Sequence, residues 1–375
     1  MTDIEKVLVV GGGIGGLSTT VALRRAGVAV DVVEKNPRWD VYGVGIIQPP
    51  NALLALDAIG LAEQCLERGH PVNGTRVHLA NGTPIGEDVY PPVRPGWPVM
   101  NGITRPALHD ILKTAVLGSG ANVHVGQTVT DIVQRDEGVD VVFADGSRGS
   151  YGLLVVADGL YSETRRMLFG DAVRPRYTGQ SCFRYNLPLM EGLDTISVYV
   201  GGESGTAGLV PLSDDLMYML FIVKWPEAEI RQDPRTLDAF MRELLEPFDG
   251  PIAEYREQIT DPDQVVYRPV DNIIMPPPWY AGRALLIGDA AHGTSPHAGQ
   301  GAAQAIEDGV VLADEIATGK PVQEVLDAFM ARRYERCKQV VELSGAIGRW
   351  EQNPDPDVNP QEIRNELMAV CAVPS

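Results

Sequence analysis

The chain has 375 residues, 44% of them hydrophobic and 22% charged, which is enough apolar content for more than one average domain and points to two. Its net charge of −19 disfavours nucleic acid and anionic lipid as partners, and no apolar run reaches the length of a membrane span. The four cysteines are scattered without a C-x-x-C pair or a metal-ligating pattern, and the N-terminus is acidic rather than signal-like, so free thiols, no metal and a cytoplasmic protein are expected.

Residues 6–10 (KVLVV) read as a short buried strand, followed by a glycine-rich turn, a helix to about Ala26 and a second strand over 28–33. This βαβ unit implies a buried parallel sheet. Its turn, GGGIGG, puts Gly11, Gly13 and Gly16 in G-x-G-x-x-G spacing, with Ile14 and Gly15 in the same cradle. Gly11 permits the tight turn, Gly13 lets backbone approach a pyrophosphate, and Gly16 allows close helix–strand packing. Glu34 ends the second strand 18 residues after Gly16, with Lys35 beside it. A carboxylate there accepts hydrogen bonds from ribose hydroxyls and repels a 2′-phosphate, so the ligand is an ADP moiety. The unit alone does not choose between FAD and NAD.

Residues 52–68 read as a helix and 72–98 as a Pro-rich excursion of short strands. A helix capped by Thr104 runs to Gly118–Gly120, and 122–145 read as hairpin strands with a turn at Asp145–Gly146. A buried strand follows at 153–158 and ends in Asp158–Gly159, with Ser162 placed to cap the next helix. From 176 to 268 the strands TISVYV, TAGLVPL and LMYMLFIV are separated by turn signals, as in a mostly antiparallel sheet, with a helical stretch at 236–247. RALLIGD at 283–289 returns to the buried parallel type. It sets Asp289 at a strand's carboxyl end, where open α/β sheets bind ligands. Gly299-Gln300-Gly301 and Ala302 open a helix over 301–317, whose free N–H groups and dipole suit the negative charge of a reduced flavin. Helices over 322–348 and near the end complete the chain. The fold class is α/β: a Rossmann-like dinucleotide domain (1–71, 99–175, 269–320), an inserted antiparallel β-sheet substrate domain (72–98, 176–268) and a C-terminal helical segment (321–375).

The three motifs, in this order and at these distances, resemble the single-component flavin monooxygenases, the family of p-hydroxybenzoate, salicylate, 3-hydroxybenzoate and urate hydroxylases. The likeness covers essentially the whole chain. It implies that the N-terminal glycines and Glu34 hold the ADP half of FAD, and that Asp289 contacts its ribityl or ribose side. It links Asp158 to both FAD and reduced pyridine nucleotide. It also places Arg105, and Gly45 of GVGIIQPPN, beside the flavin. The reaction it implies is reduction of FAD by NADH or NADPH, addition of O2 to give a C4a-hydroperoxide, and hydroxylation of a small aromatic or heteroaromatic ring. No second G-x-G-x-x-G provides a resident nicotinamide domain.

Substrate is expected between the inserted sheet and the flavin. By similarity to relatives, Thr206, Gly208, Val210 and Tyr218 face the ring, although Thr206 stands where those relatives carry Arg or His. Tyr218 and His297 are the catalytic candidates, since a Pro296-His297 pair beside the flavin could deprotonate a phenol or fix a carboxylate. The alternative for His297 is a hydrogen bond to its own loop. Arg184 either pairs with a substrate anion or forms a salt bridge across the sheet, the commoner role. Other readings on this scaffold are an FAD-dependent reductase or dehydrogenase, which turns over without consuming O2, and a non-catalytic flavin-binding protein. The W-x-W-x-I-P segment of flavin halogenases is absent. The C-terminal helices offer a surface for a homodimer, which the residues do not demand.

Overall fold

The computed structural model describes residues 4–41, 43–89, 91–202, 205–225 and 233–373. The first three residues of the acidic N-terminus and position 90 of the 72–98 excursion lie outside that range.

The strand Lys6–Val10 sits near the middle of a six-stranded sheet. Parallel neighbours Leu153–Val156 and Ala29–Glu34 flank it, and Ala284–Leu286 and Asn122–Val125 extend the sheet outward. The short strand Tyr280–Ala281 closes one edge antiparallel. Val7, Leu8 and Val9 are fully buried in a core that also takes in helix residues such as Leu17 and Leu312 and, from strands Val129–Gln134 and Val139–Phe143, Val129, Val139 and Val141, which is why this strand reads as an unbroken apolar run. Helix Ile14–Arg25 packs along helix Gly301–Ala317, and the two backbones come very close: a Cβ on Gly309 would lie 2.7 Å from Thr19 Cα.

The second large sheet has seven strands, ordered Val266–Asn272, Arg176–Pro188, Leu216–Lys224, Gly205–Pro211, Ile196–Gly202, Gly74–Leu79 and Pro84–Val89. All pairings are antiparallel except that of Ile196–Gly202 with Gly74–Leu79. Strand alternation divides its residues cleanly. Phe183, Leu187, Met219 and Phe221 point to one face, where helices Leu237–Leu244 and Pro251–Arg256 cover them with Met241 and Ile252. The other face looks toward the dinucleotide unit.

Two elements differ from the sequence expectation. The helix over 52–68 is two helices, Pro50–Ala58 and Ala62–Arg68, because Gly60 turns the chain with φ +74. Residues 122–125 are not a hairpin arm. They join the parallel sheet beside Ala29–Glu34, fixed by Asn122 Nδ2 donating to Asp31 Oδ1 at 2.9 Å. A four-residue strand has the same periodicity in either setting, so the pattern could not distinguish them. The expected turn at Asp145–Gly146 does connect Val139–Phe143 to Arg148–Tyr151. Helices Gly301–Ala317, Val322–Gln352 and Pro360–Ala372 finish the chain, and no helix among the described residues is long and apolar enough to cross a membrane.

A separate three-stranded sheet of Gly45–Gln48, Met100–Thr104 and His70–Val72 meets the seven-stranded one where Met100–Thr104 passes the end of Gly205–Pro211. A Cβ on Gly102 would lie 1.9 Å from the Pro211 carbonyl oxygen, so only glycine fits. Gly102→Ala is expected to lower the unfolding free energy by about 1–3 kcal/mol in urea titration. Gly86→Ala, which meets nothing within 4 Å, should change it by under ~1 kcal/mol.

Candidate functional site

The cradle begins at the carboxyl end of Lys6–Val10. Gly11 has φ +112, and a Cβ there would lie 2.3 Å from the Ala157 carbonyl oxygen. A Cβ on Gly16 would lie 1.9 Å from Gly11's own carbonyl oxygen, whereas one on Gly13 would meet nothing within 4 Å. The turn is thus packed shut on the sheet side and open on the outer side, where the first N–H groups of helix Ile14–Arg25 have no side-chain cap. Ile14 and Gly15 are half-buried in that helix start.

Glu34 leaves its strand pointing back at this turn. Its Oε2 accepts the Gly12 N–H at 2.7 Å and its Oε1 accepts the Asn36 N–H at 2.7 Å. Lys35 is exposed beside it. Two residues missed in the sequence complete the cradle: Trp39 Nε1 donates to the Gly12 carbonyl at 3.0 Å, and His109 Nε2 lies 3.0 Å from the same oxygen. Burial lowers the His109 pKa, which favours a neutral ring donating its Nε2–H. The only signal in the sequence was a Trp soon after the ADP-type acid; its burial and its φ of +48 appear only in the structure.

Across the cleft, Asp158 Oδ2 accepts the Thr164 N–H at 3.1 Å, while its Oδ1 is buried without a partner. Such an orphan acceptor suits a ligand hydroxyl. Ser162 caps its helix as expected, accepting the Arg165 N–H at 2.9 Å. The Arg165 guanidinium bonds the Leu160 and Ala290 carbonyls, each at 2.9 Å, and so stitches this loop to the one carrying Asp289. Gly299 adopts the left-handed conformation, and helix Gly301–Ala317 starts without a side-chain cap, leaving Gly301 and Ala302 free to donate.

Arg105 and Asp289 keep accessible surface in the cleft while protein surrounds them elsewhere. Desolvation raises the Asp289 carboxyl, against the pull of His292 and Arg105. Desolvation and then the Arg184 cation lower Arg105, while Asp289 and Tyr218 act in the opposite sense. Arg105 therefore stands between the dinucleotide loops and the antiparallel sheet. Gly45, at the start of Gly45–Gln48, is pressed against the sheet end, where a Cβ would lie 1.9 Å from Leu212 Cδ2.

The sheet face toward Arg105 is fixed by register. Arg184 lies opposite Leu220, Asn186 opposite Tyr218, Val210 opposite Tyr218 and Thr206 opposite Ile222, so Arg184, Thr206, Val210 and Tyr218 share one face. Val210, Tyr218 and Val266 form an apolar patch with Val44. The expected salt bridge of Arg184 across the sheet does not form. Its strand neighbours on that face are Leu220 and Val266, and no carboxylate among the described residues reaches it. Asn186 Oδ1 is also unpartnered. Burial pushes the Tyr218 hydroxyl up, so it remains a proton donor through the neutral range.

His297 is placed elsewhere. It sits in the turn Pro296–Ala298, and its side chain is 1% exposed. Nδ1 lies 3.0 Å from Ser295 Oγ, and Nε2 lies 3.4 Å from Glu351 Oε2 on helix Val322–Gln352. Nδ1 thus bonds its own loop, as in the loop-holding role, while the buried Nε2 faces Glu351 without a hydrogen bond. Pro296 is half-buried at the start of the same turn.

The chain matches the FAD binding domain family over residues 5–344. It belongs to that family. It is 33% identical to the aurachin C monooxygenase/isomerase of Stigmatella aurantiaca, over 92% of this chain and 90% of that protein. It is 32% identical to the 3-amino-4-hydroxybenzoate 2-monooxygenase PtmB3 of Streptomyces platensis, over 97% and 92%. The crystal structure of Klebsiella pneumoniae HpxO with FAD and uric acid superposes with a TM-score of 0.86 at 26% identity, covering 98% of this chain and 95% of that one. The chain is an FAD-dependent flavoprotein monooxygenase, and the expected α/β fold with its FAD cofactor holds.

This FAD-binding family member presents a cradle that fits the cofactor: open backbone at Gly13, an uncapped helix start at Gly301 and an orphan acceptor on Asp158. Glu34→Ala removes a charged acceptor from the turn and is expected to weaken FAD binding about 10–100-fold in a fluorescence titration of apoprotein.

Proposed function

We propose that the chain hydroxylates a small aromatic or heteroaromatic ring carrying an acidic group, using O2 and NADH or NADPH. One oxygen atom enters the ring and the other leaves as water, with two electrons from the reduced nicotinamide. Bound FAD supplies electron transfer and O2 activation. The chain's own residues bind, orient and shield. In this reading Gly11, Gly13, Ile14, Gly15, Gly16, Glu34 and Lys35 hold the ADP half. Gly45, Arg105, Asp158, Asp289, Gly299, Gly301 and Ala302 surround the remainder. The dinucleotide segments 1–71, 99–175 and 269–320 act as the cofactor unit, and 72–98 with 176–268 as the substrate unit. A cytoplasmic setting goes with the free, buried cysteines.

The observation that carries the substrate class is Arg184, a cation that no carboxylate among the described residues reaches, on a sheet face it shares with Val210, Leu220 and Val266 and with the polar Asn186, Thr206 and Tyr218. An unpaired, half-buried guanidinium favours an anionic ligand, which recovers the cost of desolvation. Tyr218 donates to the same ligand or to the ring hydroxyl, and Val210 and Thr206 set the floor beneath the ring. The likeness to an aminohydroxybenzoate monooxygenase and to HpxO bound to uric acid supports a ring acid of this size. Pro296 and His297 hold the loop before the flavin helix.

Paired substrates test this reading. Hydroxybenzoates and hydroxypyridine carboxylates should accelerate NAD(P)H oxidation, and their carboxamides should not. Arg184→Met should raise KM for the acid about tenfold or more while kcat changes less. Equal rates with acid and amide, and an unchanged KM, would contradict it. Tyr218→Phe is expected to lower the yield of hydroxylated product per NAD(P)H oxidised. His297→Asn should leave the pH profile of kcat unchanged, whereas loss of a limb of that profile would restore His297 as a base.

A further inference from the structure

Glu307 and Asp308, in the second turn of helix Gly301–Ala317, are buried, and three segments facing the cofactor converge on them. From the first segment, the Gly288 N–H, just before Asp289, donates to Asp308 Oδ2 at 2.8 Å, and His292 Nε2 lies 2.7 Å from the same oxygen. From the second, Asn51, six residues after Gly45, donates to Glu307 Oε1 at 2.9 Å. From the third, the helix start, Gln300 exchanges hydrogen bonds with Asn51 at 2.9 and 3.1 Å and accepts one from Gln304 at 3.1 Å.

One guanidinium closes all three. Arg333, on helix Val322–Gln352 and 0% exposed, donates from Nε to Asp308 Oδ1 at 2.7 Å and from Nη1 to Glu307 Oε2 at 2.6 Å. Its Nη2 donates to the Gln304 carbonyl at 3.0 Å and to Gln304 Oε1 at 2.8 Å. His292, Asp308 and Cys337 bring their ligating atoms within 4.8 Å of one another, but the two Asp308 oxygens are already taken by Arg333, His292 and Gly288, so the cluster is a charge network rather than a cation site.

Burying ion pairs of this kind is a poor route to stability, since an apolar core of the same shape does as well or better. What a fully satisfied network gives is fixed geometry, and a planar fork gives more of it than an ammonium can. We propose that Arg333 is a positioning residue for FAD, setting the Gly288–Asp289 turn, the Gln300–Ala302 helix start and the Asn51 segment relative to one another. The inference rests on FAD binding by the family, not on the ring-acid reading of the substrate face.

The test titrates FAD into apoprotein of Arg333→Lys and follows flavin fluorescence, with visible circular dichroism of bound FAD at saturation. Leu326→Ala, a fully buried apolar position on the same helix, serves as a control for lost stability. The expected result is an FAD Kd raised about tenfold or more above that of the control, together with an altered dichroism spectrum. A Kd within twofold of the control, or an unchanged spectrum at saturation, would overturn the proposal. If Arg333→Lys does not fold, Asn51→Ala cuts the link between Glu307 and Gln300 while leaving Arg333 paired, and the same two outcomes decide. Because FAD binding is read directly, failure here is distinguishable from failure of the substrate assignment.

Discussion

The molecule is organised by a close approach of backbone at the end of one strand. Where Lys6–Val10 finishes, the chain must turn into a helix without leaving room for a side chain: Gly11 abuts Ala157, and Gly16 abuts Gly11. That contact sets helix Ile14–Arg25 against the sheet and its N–H groups toward the open side. The partner helix Gly301–Ala317 then packs on it through Gly309 and Thr19 at backbone distance, so its own uncapped start faces the same cleft. Two helix N-termini and one strand end define where an anionic cofactor fits, and the other segments are arranged around them.

Charge is handled in two ways on either side of that cleft. Behind the flavin loops, acids and bases are buried and fully paired. Burial opposes ionisation there, yet His292 and Arg333 hold the Asp308 carboxyl low, and Arg333 and Arg336 do the same for Glu307. Burial likewise opposes the His292 cation, but its contacts with Cys337 and Asp308 raise it well above the usual range. In front, Arg105 and Arg184 face the cleft with no carboxylate among the described residues bonded to either, beside a sheet face lined by Val210, Leu220 and Val266 together with Asn186, Thr206 and Tyr218. The first arrangement holds geometry. The second offers charge to a ligand, and in our reading that contrast separates the positioning residues from the binding ones.

Much of this was legible in the sequence because it is local. The glycine spacing, Glu34 at its strand end, the caps at Thr104 and Ser162 and the helix start at Gly301 each depend on a few neighbouring residues. Contacts across long separations were not legible. Trp39 and His109 reach Gly12 from different parts of the chain, and Arg333 meets Asp308 only because two helices cross. His297 is instructive in the same way. Its neighbours in the chain suggested a base, whereas its bond to Ser295 and its approach to Glu351 on helix Val322–Gln352 appear only in the fold. Arg184 shows the converse, since a salt bridge was the ordinary expectation and only the register of the sheet reveals that its neighbours are apolar.

The most direct test of the account follows oxygen itself. Purified, FAD-loaded protein is supplied with NADH or NADPH, a hydroxybenzoate or hydroxypyridine carboxylate, and isotopically labelled O2. The ring acid is expected to stimulate oxygen uptake, and the product to carry one labelled oxygen on the ring. Oxidation of the nicotinamide without ring-stimulated oxygen uptake, or a product whose new oxygen comes from water, would contradict it.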